Sequence, residues 1–138
     1  MTPDNGTIMI IEDNEQDYEM LVRALRDVGI ENPVTHYDNG DDALDELHKK
    51  HTADAPEFIF LDLNLPGIDG RDVLKKIKDE EETEDIPVIV ITSSSKTSDI
   101  EKCYENGADN YITKPMGMQG YITAAKTIHS FITNPMRL

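Results

Sequence analysis

The chain has 138 residues and carries 28 acidic residues against 13 lysines and arginines, a formal net charge of −15 at pH 7. A chain of this length is most simply one domain with its own hydrophobic core. The acidic charge excludes the electrostatic attraction that draws proteins to nucleic acid or to anionic membranes, so we expect neither as a partner. A basic protein partner or a bound cation fits this charge better.

Targeting segments and disulfides are not expected. Cys103 is the single cysteine, which excludes an internal disulfide. The N-terminal stretch MTPDNGTIMII lacks the basic start and the long apolar stretch of a signal peptide. No apolar run approaches the ~18 residues that a transmembrane helix needs. We therefore expect a cytoplasmic protein.

Short apolar runs alternate with amphipathic segments from the start of the chain. The pattern predicts a strand over 8–11, followed by a helix that Asn14 caps and Gly29 ends. A weaker strand is predicted over 34–37, with a helix over 42–50 whose apolar residues lie on one face. A unit of strand, loop and helix therefore occurs twice in this part of the chain.

The same alternation continues to the end of the chain, and we find no second domain. Five strands alternating with five helices predict right-handed crossovers and a doubly wound α/β fold with a five-stranded parallel sheet. We expect a single domain over 1–138, with its core over about 7–132 and no output domain. The remaining elements are predicted as strands over 58–61, 88–91 and 110–113 and helices over 71–82, 97–106 and 118–132.

Chemically active side chains follow four of the predicted strands. In a sheet of this kind, ligands bind at the carboxyl ends of the strands, where the strand order reverses. Three carboxylates, a hydroxyl and an ammonium would therefore meet in one shallow pocket. The residues are Glu12 and Asp13 after the first strand, Asp62 after the third, Thr92 after the fourth and Lys114 after the fifth.

This pocket predicts a divalent cation. Three neighbouring carboxylates repel one another, which raises at least one pKa unless a cation compensates. Mg²⁺ suits the pocket because it takes oxygen ligands, keeps several waters and needs one or two protein carboxylates. We expect Asp13, Asp62 and a main-chain carbonyl near Asn64 as ligands, with Lys114 adding positive charge. Such a set suits phosphoryl transfer to Asp62 as nucleophile.

These motifs resemble the receiver domain of bacterial two-component response regulators, over about residues 7–132. Three sequence segments are most similar to stand-alone receivers paired with phytochrome-type histidine kinases: DLNLPGIDGRDVL, IPVIVITSS and GADNYITKP. The resemblance implies a flavodoxin-like (β/α)5 fold, Mg²⁺ as cofactor and a sensor histidine kinase as partner. Carried over by motif, Glu12 and Asp13 match the acidic pair, Asp62 the phosphoacceptor, Thr92 the hydroxyl, and Lys114 the lysine that precedes a cis-proline, here Pro115.

The resemblance also implies a metal site, a switch and two positions that tune the phosphoryl lifetime. Glu12, Asp13, Asp62 and the main-chain carbonyl of Asn64 would form the metal site. Thr92 and Tyr111 would form the switch, and Asn64 and Ser94 would set the lifetime. The one departure near the metal is Glu12, where an aspartate is common in the family.

The function that follows is phosphorylation-dependent binding. A kinase phosphohistidine would phosphorylate Asp62, and the fourth helix, fifth strand and fifth helix would form a homodimer, a kinase contact or both. Lys102, Glu105, Asp109 and Lys126 are candidate paired charges on this face. The chain would catalyse only its own phosphorylation and dephosphorylation.

Two other functions remain open. The chain could be a degenerate receiver that binds a partner without phosphorylation, although its pocket positions hold competent side chains. It could also be an aspartyl-phosphate phosphatase, but such enzymes need a second acid two residues after the nucleophile, where this chain has Asn64. The histidine pair His48 and His51 lacks a third metal ligand. On the fourth helix, Cys103 is interpreted as a core residue rather than a reactive thiol, and Tyr104 is also interpreted as core. The fifth helix is expected to carry Ile122, Ala125, His129 and Ile132 on one side.

Overall fold

The predicted strand and helix alternation is confirmed in a computed structural model, which describes residues 6–49 and 55–133. Every predicted strand is present, and four of the five have the predicted bounds; the fourth is one residue longer. The elements are β1 (Ile8–Ile11), α1 (Glu15–Asp27), β2 (Val34–Tyr37), α2 (Gly40–Lys49), β3 (Phe58–Leu61), α3 (Gly70–Asp79), β4 (Val88–Thr92), α4 (Thr97–Glu105), β5 (Asn110–Thr113) and α5 (Met118–Thr133).

The five strands form one parallel sheet in the order β2-β1-β3-β4-β5. The doubly wound, flavodoxin-like receiver fold is therefore confirmed. The strand order reverses between β1 and β3, which pair in step from Ile8 opposite Phe58 to Ile11 opposite Leu61. This register brings the residues that follow the two strands side by side, and the Asp62 amide donates to the carbonyl of Ile11 at 3.1 Å.

Two hydrophobic layers cover the sheet, which explains why its central strands are apolar without interruption. Helices α1 and α5 pack on one face, where Ile10 and Phe60 contribute to the core. Helices α2, α3 and α4 pack on the other face, against residues such as Ile59 and Val90. Burying side chains of this size contributes ~1.5–3 kcal/mol each, so the sheet is a rigid base for the residues at its edge.

Helix α3 ends at Asp79, three residues before the predicted end. The Thr83 hydroxyl donates to the carbonyl of Ile77 at 2.6 Å, and the Lys78 ammonium donates to the carbonyl of Ile86 at 2.7 Å. These side chains satisfy main-chain carbonyls around the helix end, so the chain turns back there towards β4. The acidic run over 78–85 is mostly exposed, apart from the buried Thr83 and the half-buried Lys78 and Glu80, as expected for a surface loop.

The buried faces of α4 and α5 differ in part from the prediction. Cys103 is 1% exposed, as expected for a core residue, and burial raises the pKa of its thiol. Tyr104, also predicted as core, is 46% exposed. In α5 the pattern predicted Ala125 correctly, but Tyr121 and Ile128 are the large buried side chains. Both faces of α5 carry apolar residues, so periodicity alone did not identify the packed one.

The prediction of a cis-proline at Pro115 is wrong, because all peptide bonds of the described residues are trans. The sequence does not decide this isomer, since trans is favoured over cis before proline by only about 0.5–1 kcal/mol. Gly117, with φ at 84°, makes the turn into α5. The side chain of Pro115 lies so close to Gly120 that a Cβ there would be 2.6 Å away. The chain thus turns from β5 into α5 with a trans peptide bond at Pro115.

Among the described helices, none combines the length and the apolar character that crossing a membrane requires.

Candidate functional site

Three carboxylates converge at the carboxyl ends of β1 and β3, as the sequence predicted. Glu12, Asp13 and Asp62 each offer one carboxylate oxygen within 4.8 Å of the others. Glu12 and Asp62 are 4% and 3% exposed, whereas Asp13 is exposed to solvent. The cause is the register of β1 and β3, which places the first residue after each strand at the same level.

Lys114 lies directly beside this cluster. Its Nζ is 2.9 Å from Glu12 Oε1, 2.9 Å from Asp62 Oδ2 and 2.8 Å from Asp17 Oδ2. An ammonium has three donors, so the carboxylates occupy all of them. Burial alone would lower the pKa of Lys114, but its hydrogen bonds to Asp17, Glu12 and Asp62 raise it above the ordinary value. The ammonium therefore remains charged.

Asp17 is the site residue that the sequence analysis missed. By its place in the chain Asp17 belongs to the start of α1, where its amide donates to the side chain of the cap Asn14 at 2.9 Å. Its carboxylate, however, contacts Lys114, and its charge adds to burial in raising the pKa of Tyr121 of α5. The position of Asp17 in the first turn of α1, shortly after the acidic pair, could have indicated this role.

The pocket carries more negative than positive charge. Burial, opposed by hydrogen bonds from Lys114 and the Asn14 amide, raises the pKa of Glu12 to about 7. Among the described residues, no hydrogen bond or ion pair holds Asp13. Clustered hard oxygen donors, one of them uncommitted and exposed, fit a divalent cation such as Mg²⁺. The site geometry therefore agrees with the predicted cofactor.

The phosphoacceptor candidate is held on both sides. The Asn64 amide donates to Asp62 Oδ1 at 3.2 Å, and Lys114 donates to Asp62 Oδ2 at 2.9 Å. Asn64 is exposed, and its side-chain amide lies 3.5 Å from the hydroxyl of the fully buried Thr92. The start of α3 packs against the end of β3, because Gly70 lies against the main chain of Asp62. Asn64 thus contacts both the Asp62 carboxylate and the Thr92 hydroxyl.

Ser94 and Tyr111 meet at the loop between β4 and α4. The Tyr111 hydroxyl donates to the Ser94 carbonyl at 2.8 Å, and the Ser94 hydroxyl donates to Asp99 at 2.5 Å. Arg71 of α3 donates to both oxygens of Asp99 at 3.1 Å and also binds Asp69. Tyr111 is therefore tied to the segment that follows Thr92, and Ser94 is engaged by α4.

The histidines do not form a metal site in the part of the chain that the structure describes. His48 pairs with Glu80 at 2.9 Å on the surface, and His51 lies outside the described residues. His36 stacks on Tyr18 with the ring centroids 3.7 Å apart. Its Nε2 donates to the carbonyl of Glu12 at 2.8 Å, so it supports the loop that carries the acidic pair.

Comparisons with known proteins identify the family of this chain. The family model of the response regulator receiver domain matches residues 8–126. The polar-differentiation response regulator DivK of Brucella ovis is 33% identical over 121 residues, which cover 88% of this chain and 94% of DivK.

Two solved structures extend this comparison. The phosphorylated cyanobacterial phytochrome response regulator RcpA matches with a TM-score of 0.85 and 32% identity, covering 94% of this chain and 95% of RcpA. The Mn²⁺-bound form of response regulator Rcp1 matches with a TM-score of 0.83 and 29% identity, covering 95% of this chain and 96% of Rcp1. From the family match, the fold and the acidic site together, it follows that this chain belongs to the response regulator receiver domain family.

Proposed function

We propose that this protein accepts a phosphoryl group on Asp62 from the phosphohistidine of a sensor histidine kinase. The observation that carries the proposal is the buried Asp62 carboxylate, held between the Asn64 amide and the Lys114 ammonium. A carboxylate oxygen of Asp62 attacks phosphorus, and the phosphorus–nitrogen bond to the kinase histidine breaks. The products are an aspartyl phosphate and the free histidine, whose nitrogen keeps the electron pair of the broken bond and takes up a proton from water.

Asp13, Asp62 and the main-chain carbonyl of Asn64 would hold Mg²⁺, with Glu12 beside them. Bound there, the ion supplies positive charge for the phosphoryl oxygens and offsets the repulsion among the carboxylates. Lys114 of this chain neutralises the same oxygens from the opposite side. Because Asp13 is exposed and uncommitted among the described residues, the metal can enter from solvent.

The kinase partner is proposed to be of the phytochrome type, in the cytoplasm. The support is the similarity to RcpA, which is described as a cyanobacterial phytochrome response regulator. The net charge of −15 agrees with recognition of a basic protein surface.

The output is proposed to be a change of protein–protein contact. A phosphoryl oxygen on Asp62 would accept a hydrogen bond from Thr92, and Tyr111 would move into the space that the hydroxyl vacates. The bond between Tyr111 and the Ser94 carbonyl supports this coupling, because it ties Tyr111 to the segment that follows Thr92. The affected face, formed by α4, β5 and α5, would form a homodimer, a kinase contact or both.

Acetyl phosphate with Mg²⁺, followed by intact mass measurement, tests the phosphoacceptor. The wild type should gain one phosphoryl group, and Asp62→Asn should gain none. Asp45→Asn is the matched control, because Asp45 is an exposed carboxylate of α2, and it should label like the wild type. Labelling of Asp62→Asn would refute the assignment. An unlabelled wild type would favour the degenerate receiver, and continuous turnover of phosphodonor would favour the phosphatase.

Sedimentation velocity with and without beryllofluoride and Mg²⁺ tests the output. The mimic should shift association of the wild type by ~1–3 kcal/mol, the usual size of such coupling, and should have no effect on Thr92→Ala. The four samples are the wild type and Thr92→Ala, each with and without the mimic. Equal oligomer distributions and equal kinase affinity in all four would refute the switch through Thr92 and Tyr111.

The lifetime of the aspartyl phosphate is proposed to be moderate. Asn64 and Ser94 flank the phosphoryl group by their positions, and neither is a general base. The Ser94 hydroxyl is also engaged by Asp99, which limits its contact with an attacking water. Exchanging both residues for those of a fast-hydrolysing receiver should shorten the lifetime, and an unchanged lifetime would contradict this role.

A further inference from the structure

His36 lies on the sheet face that α1 covers, and its ring is held in one orientation. In the register of β1 and β2 it lies opposite Ile10, whose side chain belongs to the core under α1. The ring stacks on Tyr18 of α1, with the two planes 6° apart and the centroids 3.7 Å apart. In this orientation Nε2 lies 2.8 Å from the main-chain carbonyl oxygen of Glu12. A carbonyl only accepts, so Nε2 carries the proton of this bond.

The bond from His36 acts on the position of Asp13. The Glu12 carbonyl and the Asp13 nitrogen belong to one planar peptide unit, so a donor on that oxygen also fixes the plane from which Asp13 extends. The Glu12 amide donates to the carbonyl of Tyr37 at 2.9 Å, so β2 holds Glu12 at both of its main-chain polar groups. The Asp13 carboxylate is exposed and has no partner among the described residues. Its distance from Asp62 therefore depends on the main chain that His36 fixes.

We propose that His36 is a positioning residue of the Mg²⁺ site, a role that rests on the proposed binding of Mg²⁺ by Asp13 and Asp62. His36 acts through the main chain and is not itself a ligand. Its donor restricts the peptide between Glu12 and Asp13 to one orientation, so the ion does not have to order that peptide on binding. A chain without this donor binds Mg²⁺ more weakly but performs the same chemistry once the site is filled.

Calorimetric titration of the metal-free protein with Mg²⁺ is the first test, at a temperature where circular dichroism shows each variant to be folded. His36→Phe keeps a ring that can stack on Tyr18 but removes the donor. We expect it to bind Mg²⁺ about three- to tenfold more weakly, the factor that corresponds to one hydrogen bond. His48→Phe makes the same change on the surface of α2, where His48 pairs with Glu80, and should change the affinity less than about twofold.

Two amide side chains separate the effect of the donor from that of the ring. The amide nitrogen of glutamine is as many bonds from Cβ as Nε2 is in histidine, whereas that of asparagine is one bond closer. His36→Gln should therefore bind Mg²⁺ about threefold more tightly than His36→Asn, or better. Neither variant keeps the stack on Tyr18, so the difference between them reports the donor. This comparison also decides the role of His36 if His36→Phe does not fold.

Labelling by acetyl phosphate separates metal binding from chemistry. The Mg²⁺ concentration that gives half of the maximal labelling rate should rise about three- to tenfold in His36→Phe, in parallel with the calorimetric affinity. The rate at saturating Mg²⁺ should stay within about twofold of the wild-type rate, because the filled site holds Asp13 in place. A merely structural role of His36, in which its loss loosens the whole pocket, would lower the saturated rate as well.

The outcomes distinguish the role of His36 from the function on which it rests. A wild type that binds no Mg²⁺ overturns the metal site, and this inference with it. Normal Mg²⁺ binding without labelling overturns the phosphoacceptor function alone. Equal Mg²⁺ affinities of the wild type and His36→Phe, or of His36→Gln and His36→Asn, overturn only the role of His36. A saturated labelling rate that falls as far as the affinity overturns that role as well.

Discussion

Replacing Gly70 by alanine should destabilise the protein and displace the phosphoacceptor at the same time. A Cβ at this position would lie 2.3 Å from the main-chain oxygen of Asp62 and 2.5 Å from the Cα of Leu63. Ordinary contacts begin at 3.4 Å, so α3 or the end of β3 must move by about 1 Å. Main-chain atoms at the buried end of a strand cannot rotate away. We expect a loss of about 3 kcal/mol from a total that is typically ~5–15 kcal/mol.

Urea denaturation followed by circular dichroism measures this loss, and labelling by acetyl phosphate measures the displacement of Asp62. Gly29→Ala is the matched control, because it adds the same methyl group in open space at φ 93°. Backbone strain alone should cost it ~1–2 kcal/mol, with an unchanged labelling rate. Gly70→Ala should label about tenfold more slowly or worse, since an error of 1 Å at a reacting group costs as much as ~100-fold. Equal urea midpoints and equal labelling rates of the two variants would refute the reasoning.

Three further predictions concern the metal, pH and the tie between β5 and the β4–α4 loop. Asp13→Ala should weaken Mg²⁺ binding at least tenfold in a titration, and it should not destabilise the metal-free protein, because it relieves repulsion. Normal Mg²⁺ affinity would contradict this. The pKa of Glu12 is raised from 4.5 to about 7, so the folded state binds this proton more tightly than the unfolded state. The free energy of unfolding of the metal-free protein should therefore fall by up to about 3 kcal/mol as pH rises from 4.5 to above 7, at ~1.4 kcal/mol per tenfold change in proton affinity. Urea titrations at several pH values measure this fall, and Glu12→Gln should make it smaller. An equally steep fall in Glu12→Gln would contradict the assignment to Glu12. Tyr111→Phe removes the bond to the Ser94 carbonyl and should cost ~0.5–1.5 kcal/mol of unfolding free energy; a urea midpoint equal to that of the wild type would show that the bond is not stabilising.

The unbroken apolar runs were enough to predict the strands. Phe58–Leu61 and Val88–Ile91 can be buried on both sides only in a sheet covered by two helical layers, so composition over four residues determines both the element and its environment. The ends of α1 were also predictable from nearby residues. Asn14 accepts a hydrogen bond from the Asp17 amide at its start, and Gly29 follows its end with φ 93°. These features depend on neighbours in the chain.

The residues at the strand ends were also predictable, because parallel strands bring their carboxyl ends to one edge. Glu12, Asp13 and Asp62 meet there, and Lys114 joins them from β5. The identities of these residues, in this order along the chain, carried the resemblance that the comparisons confirm.

Contacts between distant segments were decided by the tertiary structure. The third partner of Lys114, Asp17, lies 97 positions away in the chain. The charge of Asp17 and its position near the start of α1 do not indicate that it lies beside the end of β5. The end of α3 depends on the Thr83 hydroxyl folding back onto Ile77. The exposure of Tyr104 depends on how α4 rests on the sheet.

The sequence by itself determined the fold class, the strand positions and the four chemically active strand ends, since apolar continuity, capping and strand-end placement are local properties read along the chain. The tertiary structure decided the trans bond at Pro115, the buried face of α5 and the sharing of Lys114 among three carboxylates. Each of these rests on small free-energy differences between alternatives, and packing against segments remote in sequence selects among them.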